Sequence, residues 1–277
     1  MAIPSLKGKR VLVTGASSGI GFETALAFAR QGANLILVDI NAPALEMAAN
    51  AVREHGVNCL TWKADVSDAQ AMRELANAVH EAVGALDVLI NNAGIAFLGA
   101  FLETPEQAWR RILDINVMGV VHGCNVFLPQ MLNADGPRHI VNVASVAGLA
   151  PAYQMSVYAA SKHAVVGLSE SLAMELSVSS VGMSVVCPGI INTPIANPGT
   201  ASVGKSVTHA QLQRLAAFYQ SKGAHPRLVG ESIVDAVQTG KGIVLVGPIA
   251  RLVYNLRRIS RSLLMKAMLA ESKKIWV

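Results

Sequence analysis

Short apolar runs, rich in β-branched residues, alternate along the chain with longer segments whose apolar residues recur at helical spacing. The short runs lie at residues 10–15, 34–39, 58–65, 86–92, 139–145, 183–189 and 242–247. Helix start signals such as Ser67-Asp68 and Thr104-Pro105 precede the longer segments. Because strands that alternate with helices form right-handed βαβ crossovers, we expect a doubly wound α/β fold. Its sheet would be parallel and seven-stranded, with helices on both faces.

The composition agrees with one large domain. The chain has 277 residues, of which 52% are hydrophobic and 15% charged, as expected for a sheet that is buried on both faces. We assign residues 1–250 to this domain and residues 251–277 to a tail. Residues 193–225 interrupt the alternation and are rich in Pro, Gly, Ser and Thr. Their position after a strand predicts a substrate lid.

The cysteines and residues 1–10 indicate the cellular compartment of the protein. Cys59, Cys124 and Cys187 are odd in number and embedded in apolar runs, which favours free thiols over disulfides or a zinc site, and we predict no metal. Residues 1–10 have no apolar signal core, and no apolar run in the sequence is long enough to span a bilayer. These features predict a cytoplasmic protein.

Charge is distributed unevenly along the chain. The net charge is +5, and residues 251–277 contribute +6 of it through seven basic residues and one acid, Glu271. The remainder of the chain is therefore close to neutral. No nucleic-acid-binding module accompanies the basic tail, so we predict no nucleic-acid partner.

A glycine-rich turn follows the first apolar run. Gly15, Gly19 and Gly21 have the spacing G-x-x-x-G-x-G. Small residues there let main-chain N–H groups at a helix N-terminus approach a pyrophosphate, where the helix dipole favours negative charge. A purely structural turn between a strand and a helix can use the same residues. Its position after the first strand of the alternation favours a dinucleotide site.

Asp39 ends the second predicted strand, 18 residues after Gly21. This is close to the spacing at which an acid binds the adenosine ribose hydroxyls. A carboxylate there repels a 2′-phosphate, and neither Ser17 nor Ile40 provides an arginine to hold one, so the sequence predicts NAD rather than NADP. The alternative role of Asp39, as the cap of the next helix, is compatible with this one.

Polar and small residues also follow the next two predicted strands. Asp65 and Val66 come after the third strand, and Asn91 to Gly94 come after the fourth. Each segment is also an ordinary turn signal. Because the carboxyl ends of parallel strands meet at one edge of a sheet, where ligands bind, we expect both segments to border the same crevice.

Tyr158 and Lys162 lie four residues apart in a predicted helix and share one of its faces. A protonated lysine lowers the pKa of a nearby phenol from about 10 and makes the phenol a general acid or base. A pair of surface residues can have the same spacing. Ser145, at the end of the fifth strand, can bring a hydroxyl beside the phenol and hold a substrate oxygen. Asn116, in an apolar helix, is either functional or a core amide that is satisfied locally.

Together these residues resemble the short-chain dehydrogenase/reductase family, whose members are oxidoreductases with the Rossmann fold. The matching motifs are, in order, Thr14 to Gly21, Asp65, Asn91 to Gly94, Asn116, Ser145, Tyr158, Lys162 and Pro188-Gly189. The resemblance covers roughly residues 5–248. The glycine spacing is also that of the family.

The resemblance implies roles for these residues. Tyr158 would donate or accept the proton at the substrate oxygen, and Ser145 would orient that oxygen. Lys162 would tune Tyr158 and bind the nicotinamide ribose, and Asn116 would hold a water in a proton relay. A homodimer or homotetramer would form through the fourth and fifth predicted helices. The implied cofactor contacts are Gly15, Ser17, Ser18, Gly19, Ile20, Gly21, Asp39, Asp65, Val66, Asn92, Ala93, Gly94, Tyr158, Lys162, Pro188, Gly189, Ile191 and Thr193.

The positions expected to face the substrate are mostly apolar. This predicts an NAD-dependent oxidoreductase of a hydrophobic secondary alcohol or ketone, such as a steroid, retinoid or other lipid. One alternative is a small polar or sugar-like substrate, and another is a non-catalytic nucleotide-sensing scaffold on the same fold. The expected substrate-facing residues are Ser145, Val146, Gln154, Met155, Tyr158, Ile190 and Ile195, with Ala147, Ile191, Asn192 and Pro194 nearby.

The basic tail has amphipathic helical spacing. Its predicted apolar face comprises Leu252, Leu256, Ile259, Leu263 and Ala267, with Arg257, Arg258 and Arg261 opposite. Two interpretations remain open. The tail packs on its own body or on a partner subunit, or it makes peripheral contact with an anionic membrane surface.

Overall fold

The structure is a computed structural model that describes residues 1–193, 195 and 202–276, without the side chains of 274 and 275. Pro194 and residues 196–201, which belong to the predicted lid, lie outside the described residues. Within the described residues the strands are β1 (Arg10–Thr14), β2 (Asn34–Asp39), β3 (Cys59–Lys63), β4 (Val88–Asn91), β5 (Phe97–Leu98), β6 (Arg138–Val143), β7 (Val181–Pro188), β8 (Ser202–Val203) and β9 (Ile243–Val246).

Seven strands form one sheet in the order β3-β2-β1-β4-β6-β7-β9. Every neighbouring pair in this sheet is parallel. The seven strands coincide with the seven apolar runs, so the predicted doubly wound fold is confirmed. The two remaining strands, β5 and β8, pair with each other outside the main sheet.

Helices connect the strands. They are α1 (Gly19–Arg30), α2 (Ala42–Arg53), α3 (Ala69–Val83), α4 (Glu106–Leu113), α5 (Gly119–Asn133), α6 (Ser156–Glu175), α7 (His209–Lys222), α8 (Arg227–Thr239), α9 (Ala250–Ile259) and α10 (Arg261–Trp276). A π-helical turn, Asp114–Met118, joins α4 to α5. Short 3-10 turns occupy Phe101–Glu103, Val146–Gly148 and Leu176–Val178.

The strands contribute alternate side chains to two cores. Val11 and Val13 of β1 pack in the core that includes residues of α1, α2 and α8. Leu12, between them, packs in the core that includes residues of α3, α5 and α6. Successive side chains of a strand point to opposite faces of a sheet, so helices cover both faces, as the run of apolar residues in each strand requires.

Although we expected no segment long enough to span a bilayer, one helix among the described residues, Glu106–Asn133, is long and apolar enough to do so by length and composition alone. It begins at α4 and ends with α5. Its residues Val120, Phe127 and Met131 are buried in the core under the sheet. A central core helix meets the same criterion as a membrane span, and these contacts make it part of the fold.

The chain order reverses between β1 and β4, which are neighbours in the sheet. The connections after β1 and after β4 therefore diverge to opposite sides and open a crevice at the carboxyl edge, where ligands of such sheets bind. The glycine-rich turn follows β1, and Asn92 to Gly94 follow β4. The topology thus places the two predicted cofactor segments beside each other.

The tail folds into two helices on the body of the protein. Ser260 has an extended backbone (φ −158°) and ends α9, and its hydroxyl accepts a hydrogen bond from the Leu263 main-chain N–H at 3.3 Å. Val253 and Leu264 are both 3% exposed. The buried face is not the predicted one, because Leu252, Ile259 and Leu263 are 59%, 76% and 52% exposed.

Candidate active site

The glycine-rich turn brings backbone very close to backbone. Gly15 and Gly19 have positive φ angles of +63° and +54°, which side chains other than that of glycine adopt only with strain. A Cβ atom on Gly21 would lie 2.0 Å from the Gly15 carbonyl oxygen. The first turn of α1 can therefore approach the end of β1 only with glycine at residue 21, and this leaves a concave cradle in front of the helix N-terminus.

The segment after β4 is fastened to this turn. Asn92 Nδ2 donates to the Thr14 carbonyl oxygen at 2.9 Å and to the Gly15 carbonyl oxygen at 3.2 Å. The main-chain N–H groups of Asn92 and Ala93 donate to the Thr14 hydroxyl at 3.0 and 3.1 Å. The two walls of the crevice are thus held together by four hydrogen bonds. Asn91 points away into the core, where its Nδ2 donates to Asn142 Oδ1 at 2.9 Å.

Asp39 stands at the far end of the cradle. Its Oδ2 accepts hydrogen bonds from the Ser17 hydroxyl at 2.7 Å and from the Ser17 N–H at 3.1 Å. Its Oδ1 accepts from the Asn41 N–H at 3.0 Å. The cap of α2 is Asn41 rather than Asp39, because the Asn41 side chain accepts from the Ala44 N–H at 3.2 Å. The capping alternative for Asp39 is therefore wrong.

A cavity of about 490 Å³ lies at the carboxyl edge of the sheet. It has the wall of small residues that a dinucleotide requires, with the helix N-terminus of α1 on one side. Its lining includes Gly15, Ser17, Ser18, Gly19, Ile20, Asp39, Asp65, Val66, Asn92, Ala93, Gly94, Tyr158, Lys162, Thr193 and Ile195. The residues present fit a nicotinamide dinucleotide, which Gly15 to Ile20 and Asp39 would hold at its adenosine and phosphate end.

Asp65 borders the cavity beside an arginine that the sequence reasoning missed. Arg111 of α4 also lines the cavity, and its Nη1 lies 3.6 Å from Asp65 Oδ2. Burial opposes the charge of Asp65, but hydrogen bonds from Ser67 and the charge of Arg111 hold its pKa below the ordinary value. Arg111 lies five residues before Asn116, and this spacing from a recognised motif was the available signal.

Tyr158 and Lys162 both emerge from α6 into the cavity. Lys162 is 4% exposed, its Nζ donates to the Val143 carbonyl oxygen at 2.9 Å, and Nζ lies 5.7 Å from the centre of the Tyr158 ring. Lys162 is therefore buried and Tyr158 half-buried at the cavity, and the two are not a pair of surface residues.

Burial dominates the ionisation of both groups. It raises the pKa of Tyr158 to about 12, an effect that the neighbouring Ser145 hydroxyl opposes, and it lowers the pKa of Lys162 to about 8. We expected Lys162 to lower the pKa of Tyr158. These two side chains alone do not lower the pKa of Tyr158, because the cost of removing the phenolate from water outweighs the attraction of the ammonium group.

Ser145 begins the short 3-10 turn Val146–Gly148 and accepts a hydrogen bond from the Ala147 N–H at 3.1 Å. It follows β6, whereas Tyr158 lies in the first turn of α6. The effect of the Ser145 hydroxyl on the pKa of Tyr158 indicates that the strand end and the helix bring the two hydroxyl groups together. Their proximity is the one expected from the sequence.

Asn116 is fully buried in the π-helical turn. Its Oδ1 accepts from the Ile95 N–H at 2.9 Å, and its Nδ2 donates to the Ile95 carbonyl oxygen at 2.9 Å and to the Ser161 hydroxyl at 3.0 Å. The side-chain amide is therefore committed to the β4 loop and to α6. Any water relay at this position has to use the main chain of the turn rather than the amide.

The residues after β7 divide into two groups. Gly189 packs against the loop after β9, where its added Cβ would lie 2.0 Å from the Pro248 carbonyl oxygen, and Ile191 is 4% exposed and bridges to Ala224. Thr193 and Ile195 line the cavity. Pro188 ends β7, and the Ile190 carbonyl oxygen accepts from the Ala224 N–H at 2.9 Å.

Two of the predicted substrate residues, Met155 and Ile195, pack against a separate apolar cluster beside the cavity. Leu98, Leu212, Leu215 and Trp276 are its buried members, and Met155, Ile195, Val207 and Tyr219 pack against them. We call this the substrate-end cluster. Val146 instead packs against the core under the sheet. Gln154 has a positive φ of +56°, its carbonyl oxygen accepts from the Gly99 N–H at 2.8 Å, and its Oε1 is buried without a partner among the described residues.

Sequence reasoning missed Tyr219 and Trp276 in this cluster. Burial raises the pKa of Tyr219, and the negative charge of its phenolate would raise that of Tyr158, so the two phenols lie within electrostatic reach. Neither residue belongs to a motif. The only available signal for Trp276 was a large aromatic residue in an otherwise basic and aliphatic helix.

The family model described as short chain dehydrogenase matches residues 9–203. The chain belongs to the short-chain dehydrogenase/reductase family. It has the Rossmann fold of this family, which the sheet order and the cavity already indicated.

Curated relatives of this dehydrogenase are oxidoreductases by name. It is 38% identical over 255 residues to "Probable oxidoreductase EphD" of Mycobacterium tuberculosis, a match that covers 90% of this chain and 43% of EphD. The chain thus spans less than half the length of that relative. It is 41% identical over 192 residues to oxidoreductase UcpA of Salmonella typhimurium, covering 69% of this chain and 72% of UcpA.

A similar structure contains a dinucleotide. A short chain dehydrogenase/reductase from Burkholderia phymatum, crystallised in complex with NAD, is 33% identical, with a TM-score of 0.85. The superposition covers 94% of this chain and 96% of that one.

Proposed function

We propose that this dehydrogenase transfers hydride between NAD and a hydrophobic secondary alcohol or its ketone. One observation carries the proposal: Tyr158 and Lys162 open into the same cavity as the glycine-rich turn and Asp39. A bound nicotinamide would supply or accept the hydride. A site with only a nucleotide-sensing role has no need of a buried phenol and a buried lysine beside the cradle, which argues against the scaffold alternative.

The proposed roles follow from the contacts. Tyr158 donates or accepts the proton at the substrate oxygen, and Ser145, beside it, holds that oxygen. Lys162, fixed by the Val143 carbonyl oxygen, provides positive charge next to the phenol and binds the nicotinamide ribose. Asn116 is a positioning residue, since its amide ties the Ile95 main chain to Ser161.

The preference for NAD over NADP is part of the proposal. The cavity wall around Asp39 includes Ser17, Ser18, Ile40 and Asn41, none of which carries positive charge. A 2′-phosphate would meet the Asp39 carboxylate with no cation among these residues to offset it. We expect kcat/KM to be higher with NAD than with NADP, and Asp39→Ala to narrow the difference by about tenfold or more.

A hydrophobic substrate is favoured by the substrate-end cluster. Met155, Ile195 and Tyr219 present apolar surface next to the cavity, and burial of apolar surface is the main source of affinity in such pockets. Gln154 and Asn192 are the polar residues nearby. A small polar or sugar-like substrate would leave most of this wall without a suitable contact.

The direct test is NAD reduction with a panel of alcohols. We expect turnover of 2-octanol, 2-decanol and a hydroxysteroid, and little turnover of sorbitol or glycerol. Higher kcat/KM for the polar alcohols would contradict the substrate class. Binding of NAD without turnover of any alcohol, or of any corresponding ketone with NADH, would favour the scaffold alternative.

We propose a homodimer or homotetramer in the cytoplasm, as is typical of the family. Met118, Leu132 and Met174 are 40%, 43% and 78% exposed on the π turn, α5 and α6, and these helices are the expected interface. Light scattering coupled to gel filtration checks the oligomer. A monomer at micromolar concentration would contradict it.

The outward face of the tail is proposed to contact anionic lipid. Leu252, Ile259, Leu263, Met265 and Leu269 are at least half exposed among basic residues, a combination that suits a negatively charged interface. Flotation with phosphatidylglycerol vesicles tests this. Leu263→Gln combined with Leu269→Gln should reduce flotation, and flotation that is absent or equal for both proteins would contradict the proposal.

A further inference from the structure

Trp276, at the end of α10, is buried against the proposed lid instead of projecting from the basic tail. Only 8% of its surface is exposed, and it packs with Leu98, Leu212 and Leu215. Its main-chain oxygen accepts a hydrogen bond from Gln211 Nε2 at 2.9 Å. The tail is therefore fastened to α7 by an apolar contact and by a hydrogen bond.

The side-chain amide of Gln211 serves two elements at once. Gln211 Oε1 accepts from the Thr208 N–H at 2.9 Å, while the Gln211 N–H donates to the Thr208 hydroxyl at 3.2 Å, a capping box that starts α7. The amide oxygen thus closes the helix cap and the amide nitrogen holds the tail. A glutamate at residue 211 would preserve the cap but would have no donor for the Trp276 oxygen.

Residues that pack in the same cluster as Trp276 also border the reacting groups. Met155 and Ile195 pack against the same cluster. Ile195 lines the cavity together with Tyr158, and Met155 directly precedes α6, which carries Tyr158. The Tyr153 ring lies 6.4 Å from the indole ring. Trp276 therefore contacts the segments that border the reacting end of the cavity, although it lies far from Tyr158 along the chain.

We propose that Trp276 is a specificity-determining residue that forms the outer wall of the substrate end and selects bulky, hydrophobic alcohols. This inference rests on the proposed function and extends it to the substrate class. Tyr153, Tyr219 and Trp276 supply flat aromatic surfaces at this end. Such surfaces contact long alkyl chains or fused rings over a large area, whereas a short alcohol does not reach them.

The kinetic test compares 2-decanol with 2-butanol as probes in the full chain. Trp276→Ala should lower kcat/KM for 2-decanol about tenfold or more, mostly through KM, and change that for 2-butanol by less than about twofold. Trp276→Phe, which retains an aromatic ring, should keep most of the preference for 2-decanol. Equal fold-changes for the two alcohols would overturn the inference, because they indicate a general loss of structure.

Two further variants separate the wall from the fold. Gln211→Glu should reduce the preference for 2-decanol over 2-butanol, as Trp276→Ala does. The capping box of α7 and the Tm of the protein should be preserved. Leu269→Ala alters a side chain of the same helix that is 50% exposed. This variant should leave unchanged the ratio of kcat/KM for 2-decanol to kcat/KM for 2-butanol. A ratio that moves with Leu269→Ala as much as with Trp276→Ala would also overturn the inference.

A fluorescence titration does not depend on turnover. The chain has three tryptophans, and replacing Trp62 and Trp109 by Phe leaves Trp276 as the sole emitter. We expect 2-decanol to shift the emission of this protein and to protect it from acrylamide, and 2-butanol to do neither. If no alcohol is oxidised but 2-decanol still shifts the emission, the proposed reaction is refuted and the proposed role of Trp276 is supported. If 2-decanol is oxidised without any change in emission, the role of Trp276 is refuted and the proposed reaction is supported.

Discussion

The two ends of the cavity are built in different ways. At the cofactor end, the walls are strand ends and main chain: Gly15, Gly19 and Gly21 bring backbone against backbone, and Asn92 bonds to the carbonyl oxygens of β1. At the substrate end, the walls are side chains from β5, α7, α10 and the residue before α6. The cofactor end therefore depends on short segments of sequence, and the substrate end depends on tertiary packing.

This difference indicates which substitutions each end of the cavity tolerates. A change of side chain at the substrate end alters the shape of the pocket and leaves the cradle intact. At the cofactor end, a change of side chain displaces the main-chain segments that follow β1 and β4. Tyr158 and Lys162 lie between the two ends and should be needed whichever substrate is used.

The largest expected effect is at this junction. Tyr158→Phe removes the hydroxyl that exchanges the proton with the substrate oxygen, and kcat/KM should fall by about 10³-fold, within the range for general acid–base groups. NAD affinity should change little, because the ring remains. Steady-state kinetics with 2-octanol, together with calorimetric titration of NAD, measures both quantities. A variant with near-normal kcat would refute the role of Tyr158.

The next effect tests the rigidity of the cofactor end. In Gly21→Ala, the new Cβ would lie 2.0 Å from the Gly15 carbonyl oxygen, so the cradle has to shift. Since displacements of about 1 Å cost on the order of 10²-fold, the Kd for NAD should rise by a similar factor. Gly167→Ala is the control, because a Cβ atom there meets nothing within 4 Å. Equal NAD affinity in both variants would remove the distinction between the two ends.

A smaller effect concerns pH. Burial lowers the pKa of Lys162 to about 8, so its charge is present below that pH and is lost above it. For ketone reduction with NADH, kcat/KM should decline by up to about tenfold per pH unit above this value. In Lys162→Arg the charge persists throughout, so the residual activity should lack this inflection. A wild-type profile that is flat from pH 7 to 10 is the contrary outcome.

The smallest effect tests the tail. Arg257 Nη1 donates to the Gly148 carbonyl oxygen at 3.1 Å, just after Ser145. Arg257→Met keeps the aliphatic stem but loses the bond, which is worth about 1 kcal/mol, so Tm should fall by roughly 2–4 °C. The KM for 2-decanol should rise while the Kd for NAD stays constant. The exposed Arg251→Met serves as control, and an increased Kd for NAD would show that the two ends are not independent.

The same contrast explains what the sequence could predict. All seven strands of the main sheet were predicted correctly, because each is marked by local periodicity. The glycine turn, Asp39, Tyr158 and Lys162, which motifs mark in the sequence, line one cavity, and the functional roles of these residues and of Asn116 and Ser145 stay predictions. Their placement at one edge follows from the parallel topology. The π-helical turn around Asn116 was not predicted, since its residues also fit a regular helix.

The remainder depends on contacts between distant segments. Trp276 meets Gln211 across 65 residues, and no local pattern encodes that encounter. The break at Ser260 also escaped prediction, and so did the buried face of the tail, which contains Val253 and Leu264 instead of Leu252 and Leu263. A serine in a helical pattern is a weak signal until its hydroxyl is seen to cap the next helix.

The π-helical turn Asp114–Met118 has a consequence for how this lineage can change in length. Such a turn holds one more residue than an α-helical turn, so the loss of one of its residues would restore a regular helix while α4 and α5 keep their relative orientation. The local bulge that places Asn116 against Ile95 and Ser161 would then be lost. Random mutagenesis with selection for activity should accordingly recover many substitutions in α4 and α5 but no single-codon deletions within the turn.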